Sequence, residues 1–276
     1  MSGARYAACL PGITPSSPAI VVNEPSRLKS RARRPSIGLP PEAHVARNRL
    51  LAALAPADLG VLAPHLEHVT LSVNEVLAEA GEPFTHVYFP ESGAVSIVTY
   101  MSDGYGVEVG TMGNEGMVGL PAYLEADASE SRTFCQVAGA AQRVPVDVLL
   151  AAAASRPNIR RLLNRYTQAY LSLVAQGAAC NRLHTIEQRC ARWLLMMHDR
   201  TGGSGVLQLK QEFLALMLGV RRIGVTIAAG ALQEAGLIRY RRGQIRIVGR
   251  EGLEEVACEC YAVVRRRFDE LLLPKA

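Results

Sequence analysis

Residues 214–247 read LALMLGVRRIGVTIAAGALQEAGLIRYRRGQIRI, a mostly apolar stretch whose charge is concentrated in two small clusters, each beside a glycine. Gln211 to Leu218 predicts a short helix, with Phe213, Leu214, Met217 and Leu218 available to a core. Ala215 and Gly219 stand four positions apart. They supply a small side chain where a second helix crosses and a residue able to take positive φ in the corner. Arg222 opens that second helix. Val225, Ala228, Ala229 and Leu232 recur at i, i+3, i+4 and i+7 and form its inner face, whereas Arg222, Ile223, Thr226 and Ile227 lie on or beside the outer face. The helix ends at Glu234-Ala-Gly236. LIRY (237–240) and QIRIV (244–248) then alternate around Arg241-Arg242-Gly243, as two strands joined by a turn do. The stretch predicts a helix-turn-helix followed by a two-stranded wing.

In such a unit the N-terminal end of the second helix enters the DNA major groove, and its free N–H groups favour phosphate. Arg221 and Arg222 stand where phosphate or guanine contacts are expected. Arg241 and Arg242, at the tip of the wing, are placed to grip the flanking backbone. The alternative is a ligand-binding regulatory subunit that uses its winged helix for protein contacts. The charge map favours DNA. The formal net charge of +5 divides into +5 over residues 1–47, −10 over 48–155 and +10 over 156–276. A polyanion meets its complement only in the last of these folded parts.

Upstream of the stretch the period of the sequence changes twice. Residues 1–44 hold seven prolines and the run Arg31-Ala-Arg33-Arg34, which predicts a disordered basic tail, either an arm on DNA or a dispensable extension. Helical spacing follows from Val45 to about Leu66, with Pro56 and Asp58 opening a second short helix. VTLSV (69–73), THVYF (85–89), AVSIV (94–98), GVEVG (106–110) and TFCQV (133–137) are short, alternating and β-branched, and glycine turns separate them. They predict an antiparallel barrel or jelly roll, giving a sensor domain over 45–155. A helix near 146–154 precedes Pro157. Ile159, Leu162, Tyr166, Ala169, Leu173, Gln176 and Cys180 then recur at three and four residues along one long helix, 156–183. This stripe packs either on its own barrel or on a second copy, and the length of the helix favours a homodimer seam. Another amphipathic helix, through Ile186, Cys190, Trp193, Leu194 and Met197, opens a DNA-binding domain over 184–276. The fold class is α+β.

With 49% hydrophobic and 20% charged residues the chain can bury a core, and its apolar runs are too short to span a bilayer. The N-terminus has no unbroken apolar segment of the secretory kind, so a cytoplasmic location with reduced cysteines is expected. The six cysteines form no Cys-x-x-Cys pair and no zinc-like Cys/His spacing. Cys258 and Cys260 read as ordinary thiols, because i and i+2 on a helix face apart, and His65 and His68 read as surface histidines. No metal and no cofactor are expected. A phosphate-binding loop, a nucleophile elbow and a tight carboxylate or histidine constellation are all missing from the sequence, so no enzymatic activity is expected.

Strand-rich sensor, long helix, then LALMLGVRR…VT…L…GLIRYRRG.I.I is the order and wording of the Crp/Fnr family of bacterial transcriptional regulators, which the chain resembles over about residues 48–265. The resemblance implies a homodimer on a near-palindromic operator, with a cyclic-nucleotide-binding-like barrel. Double-stranded DNA and a second copy are the partners it implies, with RNA polymerase a further candidate and no membrane. Members that respond to cyclic AMP begin the recognition helix Arg-Glu and place a second Arg one turn on. Arg222 matches the first position, whereas Ile223 and Ile227 stand at the other two, so that operator is not inherited. Ile223, Thr226 and Ile227 are instead candidates for thymine-methyl contacts. The family's nucleotide pocket uses Gly-Glu-Leu for the ribose and Arg-Ser for the phosphate. Gly119 and Arg132-Thr133 match parts of it, but Leu120 stands at the carboxylate position and Glu115 is out of register. Weak cyclic-nucleotide binding and an unknown effector follow. Arg132 either binds an anion or forms a structural salt bridge. Only Cys9 lies in the tail, so the family's N-terminal iron–sulfur cluster is not supported.

Overall fold

The computed structural model describes residues 47–203 and 206–272, and the predicted tail, 1–44, lies outside them. Two short helices, α1 (Arg49–Ala52) and α2 (Pro56–Leu62), lead through a 3-10 turn into the sheet. Asn48 caps α1, accepting from the Leu51 N–H, and its buried amide donates to the carbonyls of Pro90 and Gly116 at 2.8 Å each. A fully buried amide is tolerated because these bonds satisfy it.

The sensor sheet comprises β1 (Glu67–Leu71), β2 (Val76–Ala78), β3 (His86–Tyr100), β4 (Gly106–Met112) and β5 (Arg132–Pro145), all paired antiparallel in the order β1-β5-β3-β4, with β2 also on β5. The five predicted segments fall on four of these strands, and β2 was not among them. The segments at 85–89 and 94–98 are a single strand, and the predicted turn at Glu91-Ser-Gly93 is a run of register shifts within it. Gly93, at φ +79°, and Gly139 on β5 allow the two backbones to touch there, since a Cβ on either would meet main-chain oxygens of the other strand. Glycine here marks a close approach rather than a reversal.

After the one-turn α3 (Leu120–Tyr123), α4 (Val146–Ser155) and the 27-residue α5 (Pro157–Leu183) cover the sheet. Here the expected dimer seam fails. Ile159, Tyr166, Ala169, Leu173 and Cys180 are each at most 6% exposed within one chain, and Leu162 and Gln176 are partly buried. Ile159, Tyr166, Ala169 and Leu173 belong to the sensor core with Val87, Phe89 and Met112, and Leu162 packs against it. The apolar stripe of an amphipathic helix turns to the nearest apolar surface, which here is its own sheet. Glycines make room for it: a Cβ on Gly116 would strike the Tyr166 ring, and one on Gly110 the Tyr170 hydroxyl at 2.6 Å.

The second half comprises α6 (Ile186–Arg200), β6 (Leu207–Gln208), α7 (Gln211–Leu218), α8 (Arg222–Glu234), β7 (Ile238–Arg241), β8 (Gln244–Ile247), α9 (Arg250–Val256) and α10 (Cys260–Leu272). Thr185 and Gln188 form a reciprocal capping box at the start of α6. The predicted boundary of this domain shifts as well. Val264, Phe268 and Leu271 of α10 are buried in the sensor core beside α5, so the last helix returns across the molecule rather than completing the winged unit. Among the described residues no single helix is long and apolar enough to cross a membrane.

Candidate nucleic-acid interface

Helices α7 and α8 meet at 103° through Gly219, which takes φ +61° and closes α7 with Val220 N–H to Ala215 carbonyl at 3.0 Å. Val225, Ala228, Ala229 and Leu232 are all at most 4% exposed, whereas Ile223 and Ile227 are 65% and 67% exposed. The inner and outer faces are those the spacing predicted. Two large aliphatic side chains left in water on a helix that has already buried its other face form an apolar contact surface.

Arg221, Arg222, Arg241 and Arg242 are exposed. Arg222 and Arg242 line one open groove together with Lys210, Thr226 and Tyr240, so the start of α8 and the tip of the wing face a common space. Arg222 pairs with Glu212 at 3.0 Å, but both side chains are more than half exposed. A pair so screened contributes little and yields readily to a phosphate. The Thr226 hydroxyl donates to Gln211 Oε1 at 3.0 Å, which leaves its methyl as the contact group. Register pairs Arg241 with Gln244, so Arg242-Gly243 is a two-residue loop with φ of +51° and +74°. Both central residues of such a turn need positive φ, which glycine or asparagine takes at less cost than arginine. The wing therefore carries a charge at its tip at the expense of local strain. Strand β6 adds a third strand beside β8, which its two residues were too short to announce.

The winged unit docks on the sensor sheet. Arg200 of α6 reaches Glu115 Oε1 with Nε at 2.9 Å and Nη2 at 2.5 Å, and donates to the Thr111 carbonyl at 3.1 Å. Gly113 makes this possible, because a Cβ there would strike the Arg200 side chain. Trp193 Nε1 donates to Glu108 Oε2 at 2.8 Å, and Ser96 Oγ to Glu108 Oε1 at 2.5 Å. Burial pushes the Glu108 carboxyl up to about 7, against the lowering effect of those two donors. Phe134 and Phe213 meet edge to face at 5.9 Å, and Arg189 donates to the Leu218 carbonyl.

The residues matched to a nucleotide pocket lie at the start of α3 and at the start of β5. Gly119 caps α3 at φ +105°, and Leu120 is 7% exposed within the sensor core. Thr133 is 1% exposed. Arg132 lies 3.3 Å from Glu79 and 5.8 Å from the Phe134 ring, which favours the salt-bridge alternative. Glu115, the nearest carboxylate in sequence, is held by Arg200.

Cys258 and Cys260 are buried free thiols, and they do not stand alone. Cys180, His184, Cys258 and Cys260 present their donor atoms within 4.8 Å of one another. Cys258 precedes α10 and is not helical, so the i, i+2 argument does not apply to it. The local signal was present, because Cys180 and His184 are four apart on one helical face, but their partners lie far along the chain. His65 and His68 are divided between the 3-10 turn and β1, where His68 lies 3.6 Å from Glu91.

Two family models match the chain: the cyclic nucleotide-binding domain over residues 68–155 and the Crp-like helix-turn-helix domain over 188–256. No curated protein sequence matches it significantly. Among solved structures, FixK2 from Bradyrhizobium japonicum is similar at 20% identity and a TM-score of 0.60, covering 70% of this chain and 98% of its own. TTHA1359, a Crp/Fnr-family transcriptional regulator from Thermus thermophilus, gives 20% and 0.58, with coverage of 69% and 98%. The c-di-GMP-responsive global regulator CLP from Xanthomonas campestris gives 17% and 0.58, with 71% and 100%. With a cyclic nucleotide-binding domain followed by a Crp-like helix-turn-helix domain, the chain belongs to the Crp/Fnr family of DNA-binding transcription regulators.

Proposed function

We propose that the protein acts as a homodimer on a near-palindromic operator, with α8 in the major groove and the wing on the adjacent backbone. The groove shared by Arg222 and Arg242, flanked by Arg221 and Arg241, is the observation that carries this reading. Ile223, Ile227 and the Thr226 methyl supply apolar base contacts in place of the Glu and Arg of the cyclic-AMP-responsive members, which favours T-containing half-sites. For the dimer we take the face of α5 opposite the predicted seam. Asn164, Gln168, Leu171, Ala175, Ala178 and Arg182 are exposed at alternating spacings of four and three, the period of a two-helix seam. The signal at the sensor is not a cyclic nucleotide held through a ribose carboxylate, because the carboxylate position is the buried Leu120. It acts through the Glu108–Trp193 and Glu115–Arg200 contacts that bind sensor to winged unit, and RNA polymerase is the further partner.

Sequencing DNA retained from a random duplex pool by the full-length protein, with and without a cellular metabolite extract, tests this. An inverted repeat with T at the positions opposite α8 supports it. A pool that stays unenriched in both arms, or enriches only single half-sites, overturns it.

A further inference from the structure

Two segments 78 residues apart bring four soft donors together where α5 ends. Cys180 lies in the last turn of α5 and His184 is its C-cap, so both face the same side. Cys258 sits in the link after α9, and Cys260 opens α10. The Sγ atoms of Cys180 and Cys258 are 3.5 Å apart, and Cys260 Sγ lies 3.6 Å from His184 Nδ1. A tetrahedral ion with metal–sulfur bonds of about 2.3 Å and a metal–nitrogen bond of about 2.0 Å requires donor–donor edges of roughly 3.5–3.8 Å. The cluster already has that scale, and its longest separations, within 4.8 Å, need contract by no more than about 1.3 Å to reach it.

The surroundings fit a metal better than they fit free thiols. All three cysteines are at most 4% exposed, and the His184 side chain is 15% exposed. Glu259 Oε2 lies 3.2 Å from His184 Nε2, and Nδ1 on the other side of the ring lies 3.6 Å from Cys260 Sγ. This carboxylate–histidine arrangement is the one that orients metal-binding imidazoles. Gln176 Nε2 donates to Cys260 Sγ at 3.0 Å, which supports a thiolate. Three thiolates around a divalent ion leave one net negative charge. A Cys180–Cys258 disulfide would use two donors and leave His184, Gln176 and Cys260 without a purpose.

We propose that Cys180, His184, Cys258 and Cys260 form a closed tetrahedral site for one thiophilic divalent cation, with Zn²⁺ the best fit. Soft sulfur donors with one imidazole select that class of ion. Four protein ligands leave no open position, so the site is structural rather than catalytic. Its place gives it a job independent of DNA recognition: it fastens the end of the long helix to the link between the winged unit and α10.

The test uses the full-length protein, purified reduced and without chelators. Elemental analysis is expected to give one Zn²⁺ per chain. Exchange for Co²⁺ is expected to give the thiolate-to-cobalt charge-transfer and intense visible bands of a tetrahedral site. Both signals are lost in Cys258→Ser and retained in Cys190→Ser, a buried thiol outside the cluster. Stripping the wild type with a strong chelator lowers its melting temperature, and Zn²⁺ alone restores it, a readout independent of any variant. Three results would overturn the proposal: a reduced wild type that neither carries Zn²⁺ nor takes up stoichiometric Co²⁺, full metal content in Cys258→Ser, or a Cys180–Cys258 disulfide found by peptide mass spectrometry in anaerobically purified protein.

Discussion

Replacing either partner of the Glu115–Arg200 pair tests how firmly the winged unit is held to the sensor. The two side chains are 11% and 7% exposed, and Nε and Nη2 of Arg200 both donate to the single oxygen Oε1 of Glu115. Arg200 keeps only the Thr111 carbonyl when Glu115 is removed, and its Nη1 is already buried without a partner. Glu115→Leu therefore strands a guanidinium, and Arg200→Met strands a carboxylate. Each is expected to cost about 3–5 kcal/mol. For a protein of this size that corresponds to a fall of roughly 6–20 °C in Tm. The double variant replaces the pair with apolar groups of similar volume and recovers most of the loss, giving a coupling of at least about 3 kcal/mol. Urea denaturation of the four proteins measures the cycle. Single variants within about 1 kcal/mol of wild type, and additive in the double, would refute the argument, because only a water-screened pair behaves that way.

The Glu108 carboxyl, raised to about 7 from 4.5, makes stability depend on pH. The folded state keeps a proton that the unfolded chain releases, so stability falls as pH rises from about 4.5 to about 7 and then levels, by at most on the order of 3 kcal/mol. The residue as a whole is only half-buried, which makes that figure an upper bound. Glu108→Gln is expected to flatten the profile in thermal melts, and an unchanged slope would count against it. Leu171, 55% exposed, is expected to lie in the dimer seam. Leu171→Ala loses roughly 0.8–1.6 kcal/mol of burial per chain, since only the exposed half of the side chain is left to cover, and over two chains this weakens dimers by at least about tenfold in analytical ultracentrifugation. Tyr166→Ala, by contrast, destabilises the chain itself by about 3–5 kcal/mol, since that ring fills the sensor core. Ile223→Ala with Ile227→Ala is expected to relax base preference opposite α8, at about 1–3 kcal/mol per affected pair, while leaving the salt dependence of binding unchanged.

What was legible in the sequence was local. The two periods of 214–247, the corner at Gly219 and the charge at the wing tip all follow from neighbours within a dozen residues, and they located every element of the helix-turn-helix and wing except β6. The long helix was legible in length but not in orientation. A stripe at 3.6-residue spacing says that a face is buried, not what buries it, and Tyr166 turned inward because Gly116 opened a socket for it 50 residues earlier. Glu91-Ser-Gly93 was misread for a related reason: glycine serves turns and close strand crossings alike, and only the register against Gly139 tells them apart. Cys258 and Cys260 could not be joined to Cys180 and His184 without the return of α10 along α5. Spacing rules for metal ligands cover one segment at a time, and this cluster is built from two.

The dependence of DNA affinity on salt tests the central claim most directly. The logarithm of the association constant, read by fluorescence anisotropy of the full-length protein on its selected duplex, should fall linearly with the logarithm of salt concentration. Eight arginines per dimer set a slope of about −7, and the Arg241→Ala/Arg242→Ala variant should reduce it to about −4. Contradiction would come from a protein that holds no duplex even at low salt, or from a wing-tip variant whose slope equals that of the wild type.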